Sequence, residues 1–193
     1  MQNWIAQLVA VFVAGIVIFI VAAVNLRVQR GSIAAAQYQA SKTSEVDLVG
    51  TLDRDFRNIG SDYPNYGLDP ATAIITFDST AGVFAFWGQT ERGMPPDSIR
   101  YHWVQSGTVL VDSAYVPAYS VERTINGSPA GGSAGSVTDF HIRLLDNEGN
   151  PTGVLSDTRQ IEVSVSIVSS LGANEYVGTN DWQTVIRPTA LAR

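Results

Sequence analysis

WIAQLVAVFVAGIVIFIVAAVNL, residues 4–26, decides how the rest of the chain is read. Residues 8–24 of it carry no charged or strongly polar side chain. At about 1.5 Å per residue they make about 25 Å of helix, and their flanks extend this to the ~30 Å of a bilayer interior. The apolar residues surround the helix instead of forming one stripe, which argues against a helix buried in a soluble core. A secretory signal needs a basic start, and MQNW supplies no basic side chain. We therefore expect a membrane-spanning helix over residues 1–26. Trp4 is placed as an interfacial anchor, and Arg27 and Arg30 reach the opposite headgroup layer. Leu8, Phe12, Gly15 and Phe19 are the positions this helix offers to lipid or to other helices.

Working outward, residues 27–60 contain no proline and read as an amphipathic helical stalk. Val46, Val49, Leu52, Phe56 and Ile59 follow one another at helical spacing, and this face is expected to pack on the domain that follows. Leu48 falls off that face. Asp53 and Arg57 lie one turn apart and can pair. Gly60 stands where a helix C-cap belongs, with Pro64 shortly after. Upstream, Gly31 is a point of flexibility, and the small residues around it suit close approach to other helices.

From residue 61 the pattern changes to short alternating or β-branched segments separated by turn residues. Strands are expected over 73–77, 83–88, 98–105, 108–113, 120–125, 137–145, 159–169 and 182–186. Ser106-Gly107 reads as a tight hairpin turn, residues 146–150 as a longer one, and SPAGGSAGS (128–136) as a flexible loop. Ile161, Val163, Val165 and Ile167 alternate with Glu162, Ser164 and Ser166, so one face is buried and one wet. That favours an antiparallel sheet. The expected fold is α+β: a spanning helix, a stalk over 27–60 that covers the sheet, and a β-rich head over 61–193.

Composition narrows the function. The 193 residues contain no cysteine, which excludes disulfides, thiol catalysis and Cys-ligated metals. A net charge of −6 argues against a nucleic-acid partner. Arg27, Arg30 and Lys42 follow the span and nothing basic precedes it, so the positive-inside rule alone would keep the head cytoplasmic.

Motifs that could carry chemistry are few. Ser133 lies in a GGSAG run that matches a nucleophile elbow, but within a loop between strands instead of a strand-to-helix turn. His102 and His141 have no spaced ligand set around them and read as packing or surface residues. Asp146, Glu148 and Asn150 place oxygen ligands at alternate positions, as calcium loops do. Pro151 stands at the sixth position, where such loops need Gly. They are a weak calcium candidate, and the expected reading is a hairpin turn. Asn126-Gly127-Ser128 is a glycosylation sequon by pattern, made a poorer acceptor by Pro129. Tyr63, Tyr66 and Trp87 could form a binding surface, though filling a β core is preferred. No catalytic residue and no cofactor is expected.

Several pieces follow in a telling order. They are the apolar helix, VGTLDRDFRNIG (49–60), SIRYHWVQSGTVLVDS (98–113), SVTDFHIRLLDNEGN (136–150), RQIEVSVSIVSS (159–170) and WQTVIRPTAL (182–191). This series resembles the type IV minor pilins of the W type and the J-type minor pseudopilins of type II secretion. The resemblance implies a pilin-like fold and a non-enzymatic structural subunit that primes or caps a filament. It also implies a bilayer and other pilin-like subunits as partners, met through the N-terminal helix, and a periplasmic or extracellular head. The family begins with a basic leader and then a glutamate at its fifth mature position. In this chain Ile5 stands there, and the first acid is Glu45. That departure points to a tip or initiating position. It also motivates a second expectation, a membrane-anchored structural protein of a virion or envelope complex with a projecting β head.

Overall fold

The computed structural model describes residues 2–61, 63–91, 94–111, 114–133, 136–170 and 176–191. It begins with α1, Gln2–Arg57, one unbroken helix of 56 residues and about 84 Å. The helix runs straight through Gly31, expected to be a flexible point. No proline interrupts the run, and one glycine costs a helix only ~1 kcal/mol. Asp53 and Arg57 do pair, with Arg57 Nε donating to Asp53 Oδ2 at 2.8 Å.

The helix stops at Arg57, and the chain turns at Gly60, whose φ is +66°. A side chain there would meet the Cβ atoms of Ala73 and Ala190 at 3.1 and 3.2 Å. Glycine therefore suits both the left-handed turn and the close approach. The Gly60 N–H donates to Trp87 O at 2.9 Å, and Ile59 bridges Gly88. The stalk is thus tied by its backbone to the sheet.

Among the described residues eight strands follow: β1 (Ile74–Asp78), β2 (Val83–Gly88), β3 (Asp97–Val111), β4 (Ala114–Ile125), β5 (Ser128–Gly132), β6 (Ser136–Leu145), β7 (Gln160–Ser170) and β8 (Tyr176–Ile186). They form one sheet in the order β1-β2-β3-β4-β6-β7-β8, with β5 beside β4. Every pairing is antiparallel. The long helix α1 followed by this antiparallel sheet makes the layout α+β, as the sequence pattern predicted.

Two local expectations need correction. Ser106-Gly107 is not a hairpin turn. β3 runs through it, and the ladder with β4 shifts register between Gln105 and Gly107, which is a bulge. A bulge takes up an extra residue without ending a strand, and glycine there tolerates the distortion. As a result β4 pairs from Ala114, well before residue 120. The stretch expected to be a loop over 128–136 is also partly a strand. Asn126 (φ 50°) and Gly127 (φ 80°) build a two-residue turn that returns the chain as β5 against β4. β8 likewise begins at Tyr176, earlier than expected.

The core lies between the last turns of α1 and one face of the sheet. It holds Leu48, Leu52, Phe56 and Ile59 from the stalk, Phe84, Phe86, Ile99 and Tyr101 from the first strands, and Ile142, Leu144, Ile161 and Val163 from the last. Phe56 is its centre, meeting the rings of Phe84, Phe86 and Tyr101 edge-on at 5.3–5.6 Å. Such ring contacts add about 0.5–1.5 kcal/mol each beyond burial.

The packing face differs from the expected one at its upstream end. Val46 is 62 % exposed and Leu48 6 %, so Val46 leaves the face and Leu48 joins it. Leu52, Phe56 and Ile59 are fully buried, and Val49 is half-buried at the margin. The physical reason is geometric. Leu48, Leu52 and Phe56 step by four, the natural ridge of a helix, whereas Val46 lies about 120° from Leu52 around the axis at 100° per residue.

Candidate assembly helix and its anchorage

α1 has two unlike ends. From Asn3 to Ile33 it is long and apolar enough to cross a membrane, with a mean hydropathy of 2.9 in its most apolar window and none of that window buried against the head. Trp4, Leu8, Phe12 and Phe19 are each at least 70 % exposed. Around Gly15 nothing lies within 4 Å of where a side chain would begin. Arg27 and Arg30 are exposed at the far end of the span. A monomeric soluble protein seldom exposes an apolar patch larger than a few hundred Å². A helix of this length that is apolar on every side is one that a bilayer interior can accommodate.

The other end is anchored by more than apolar contact. Asp55 sits on α1 between Leu52 and Phe56 and is 3 % exposed. Its Oδ2 accepts from the Tyr101 hydroxyl at 2.7 Å and from Arg123 Nε at 2.6 Å. Tyr101 and Arg123 face each other across β3 and β4, so two strands grip one carboxylate. Arg123 Nη1 also donates to Ala130 O at 3.1 Å, which ties in β5. On the solvent side, Arg54 Nε lies 3.6 Å from Asp55 Oδ1.

The electrostatics follow from burial. Desolvation, and then the Asp55 charge, push the Tyr101 phenol far above its ordinary range, so it stays a proton donor. Desolvation opposes the Arg123 charge, but its hydrogen bond to Asp55 and the field of that carboxylate outweigh it and hold the guanidinium above its ordinary value. A buried pair such as this adds little over apolar packing, yet losing one partner strands a charge.

Sequence reasoning did not single out this cluster, though a signal existed. Arg123 occupies the same strand phase as Val121 and Ile125. A charge at an apolar-phase position calls for a buried partner.

The remaining candidates fall at separate places. The Asp146 carboxylate is engaged by its own turn: Oδ1 accepts from the N–H groups of Glu148 and Asn150 at 3.0 and 2.8 Å. Oδ2 accepts from Asn150 Nδ2 at 3.3 Å. These bonds, the backbone bond from Asn150 first, hold the Asp146 carboxyl below its ordinary value. Among the described residues, no group of three or more His, Asp or Glu side chains is placed to share a metal ion.

Ser133 follows β5, where its Oγ accepts from Val121 N–H at 3.1 Å. Asn126 caps the start of β3, accepting from Ser98 N–H at 2.9 Å and donating to Asp97 Oδ1 at 2.7 Å. His102 Nδ1 lies 3.9 Å from Glu122. His141 accepts from Arg143 Nε at 3.1 Å in a shallow polar groove with Asp139, Glu162, Ser164 and Gln183. Tyr66 and Trp87 are exposed, while the side chain of Tyr63 lies outside the described residues.

Comparison with known proteins returns no family model, no curated protein and no solved structure that matches the chain.

Proposed function

We propose that this protein is a non-enzymatic structural subunit of the minor pilin or pseudopilin kind, which primes or caps a filament. The observation that carries the proposal is the division of α1: an apolar segment from Asn3 to Ile33 with no part of its most apolar window buried, continuous with a segment built into the head. A helix of this kind can sit in a bilayer and later pack against like helices, with the head held at a set distance. Under this reading the head is periplasmic or extracellular, and the partners are the bilayer and other pilin-like helices. The order of sequence pieces from the stalk to WQTVIRPTAL supports the same reading. Co-purification tests it: the solubilised protein should associate with other pilin-like subunits and appear in sheared fibres. Protein that does neither contradicts the proposal.

A second reading rests on a specific feature. Residues 1–44 carry no acidic side chain, so the apolar segment of α1 offers no carboxylate for an ion pair inside a filament. An ion pair in the low dielectric of a filament core counts for far more than in water. A chain without that acid also fits a structural protein of a virion or envelope complex whose helix stays in the bilayer. Finding the protein in purified virions or envelope complexes, and not with pilin-like subunits, would favour this second reading.

A further inference from the structure

The apolar ridge that docks the stalk is nearly self-similar. Leu48, Leu52 and Phe56 repeat every four residues, so advancing α1 by four residues, slightly more than one turn or about 6 Å with a rotation of about 40°, places Leu48 where Leu52 was and Leu52 where Phe56 was. Apolar burial is non-directional and discriminates weakly between two such arrangements. Asp55 does not repeat. One turn upstream is Thr51, which would face Tyr101 and Arg123 with no charge.

We propose that the Asp55–Tyr101–Arg123 cluster is the device that sets the axial and rotational register of the stalk on the head. The carboxylate is buried and receives its two donors from adjacent strands at 2.7 and 2.6 Å. A slip or rotation therefore leaves a buried guanidinium without its partner. Buried polar groups are best attested in this role, selecting one register among several of similar apolar packing. The backbone ties at Ile59 and Gly60 fix where the end of the stalk meets the sheet, and the cluster, on the last turn of the helix, adds the side-chain contact that fixes how the helix is set against β3 and β4. The consequence is that each face of the upstream helix points in one direction relative to the head. This inference concerns the isolated chain and does not depend on what the chain assembles with.

The full chain in detergent micelles provides the test. It has no cysteine, so spin labels at Lys42→Cys and Thr80→Cys, both exposed, report a single stalk-to-head distance. The unsubstituted cluster should give one narrow distribution. The volume-filling triple variant Asp55→Leu, Tyr101→Phe, Arg123→Met should fold and give a broadened distribution, or a second population displaced by four residues of helix, ~6 Å. A single narrow distance in that variant would overturn the proposal and leave register to Phe56 and the backbone ties. If the triple variant does not fold, the isosteric Asp55→Asn decides in its place. Broadening supports the proposal, and an unchanged narrow distance contradicts it.

Discussion

The two ends of α1 share one helix but differ in apolarity and answer to different surroundings. Upstream, apolar side chains point in every direction and none of the most apolar window is buried. Downstream, from Leu48 on, one ridge is buried and a single charged side chain is buried with it. The difference teaches that a uniform apolar cylinder has no preferred neighbour and relies on a solvent such as lipid. A ridge of four-residue spacing with one carboxylate recognises one particular sheet.

The comparison breaks most readily at the buried charge. Arg123→Met alone removes the buried charged partner of Asp55, leaving its carboxylate to the Tyr101 hydroxyl and the exposed Arg54, and it should destabilise the head by about 3 kcal/mol. Denaturant unfolding of the chain in detergent, followed by tryptophan fluorescence, measures this. A charge placed in the other end, Val13→Asp, should leave the same unfolding transition unchanged. It should instead cost membrane insertion about 2.5–3.5 kcal/mol, read by the fraction of chain that partitions with vesicles.

Next in size is the pair of neighbours that face opposite ways. Leu48→Ala should cost about 2–5 kcal/mol, as a buried truncation does. Val46→Ala, on the exposed side, should stay within about 0.5 kcal/mol. Equal losses at the two positions would show that the stalk docks through the other face. This is also where the sequence was hardest to read. The four-residue ridge and the Val46 series overlap at Leu52 and Phe56, and only contact with the sheet separates them. The long apolar helix and the antiparallel β-sheet after it were legible because period and turn chemistry announce them. β5, the β3 bulge and the Asp55–Arg123 contact were not, because each depends on pairing between residues distant in sequence.

Tyr101 sharpens the contrast through pH. Its folded pKa is raised above its unfolded value near 10. Its contribution to stability is therefore complete below about pH 10 and is lost as pH rises above it. In a phenolate absorbance titration, the folded chain and Tyr101→Phe should show the same amplitude near pH 10. The missing phenolate should appear only when the head unfolds.

The smallest effect is at the exposed turn. The folded pKa of Asp146 is lowered. Its contribution is present above the ordinary carboxyl range and is lost as pH falls below about 4, through the folded value. Asp146→Ala should flatten the acid limb of a melting-temperature profile slightly and leave the neutral region almost unchanged.

The most direct measurement of the divided helix is a scan of single spin-labelled cysteines along α1 in liposomes, which the cysteine-free chain permits. Labels at Leu8, Phe12 and Phe19 should be accessible to oxygen and shielded from a water-soluble relaxant. Labels at Val46 and Gly50 should meet the water-soluble relaxant, and those at Leu52 and Phe56 should meet neither. Water-exposed or head-buried labels at Leu8, Phe12 and Phe19 would contradict the account.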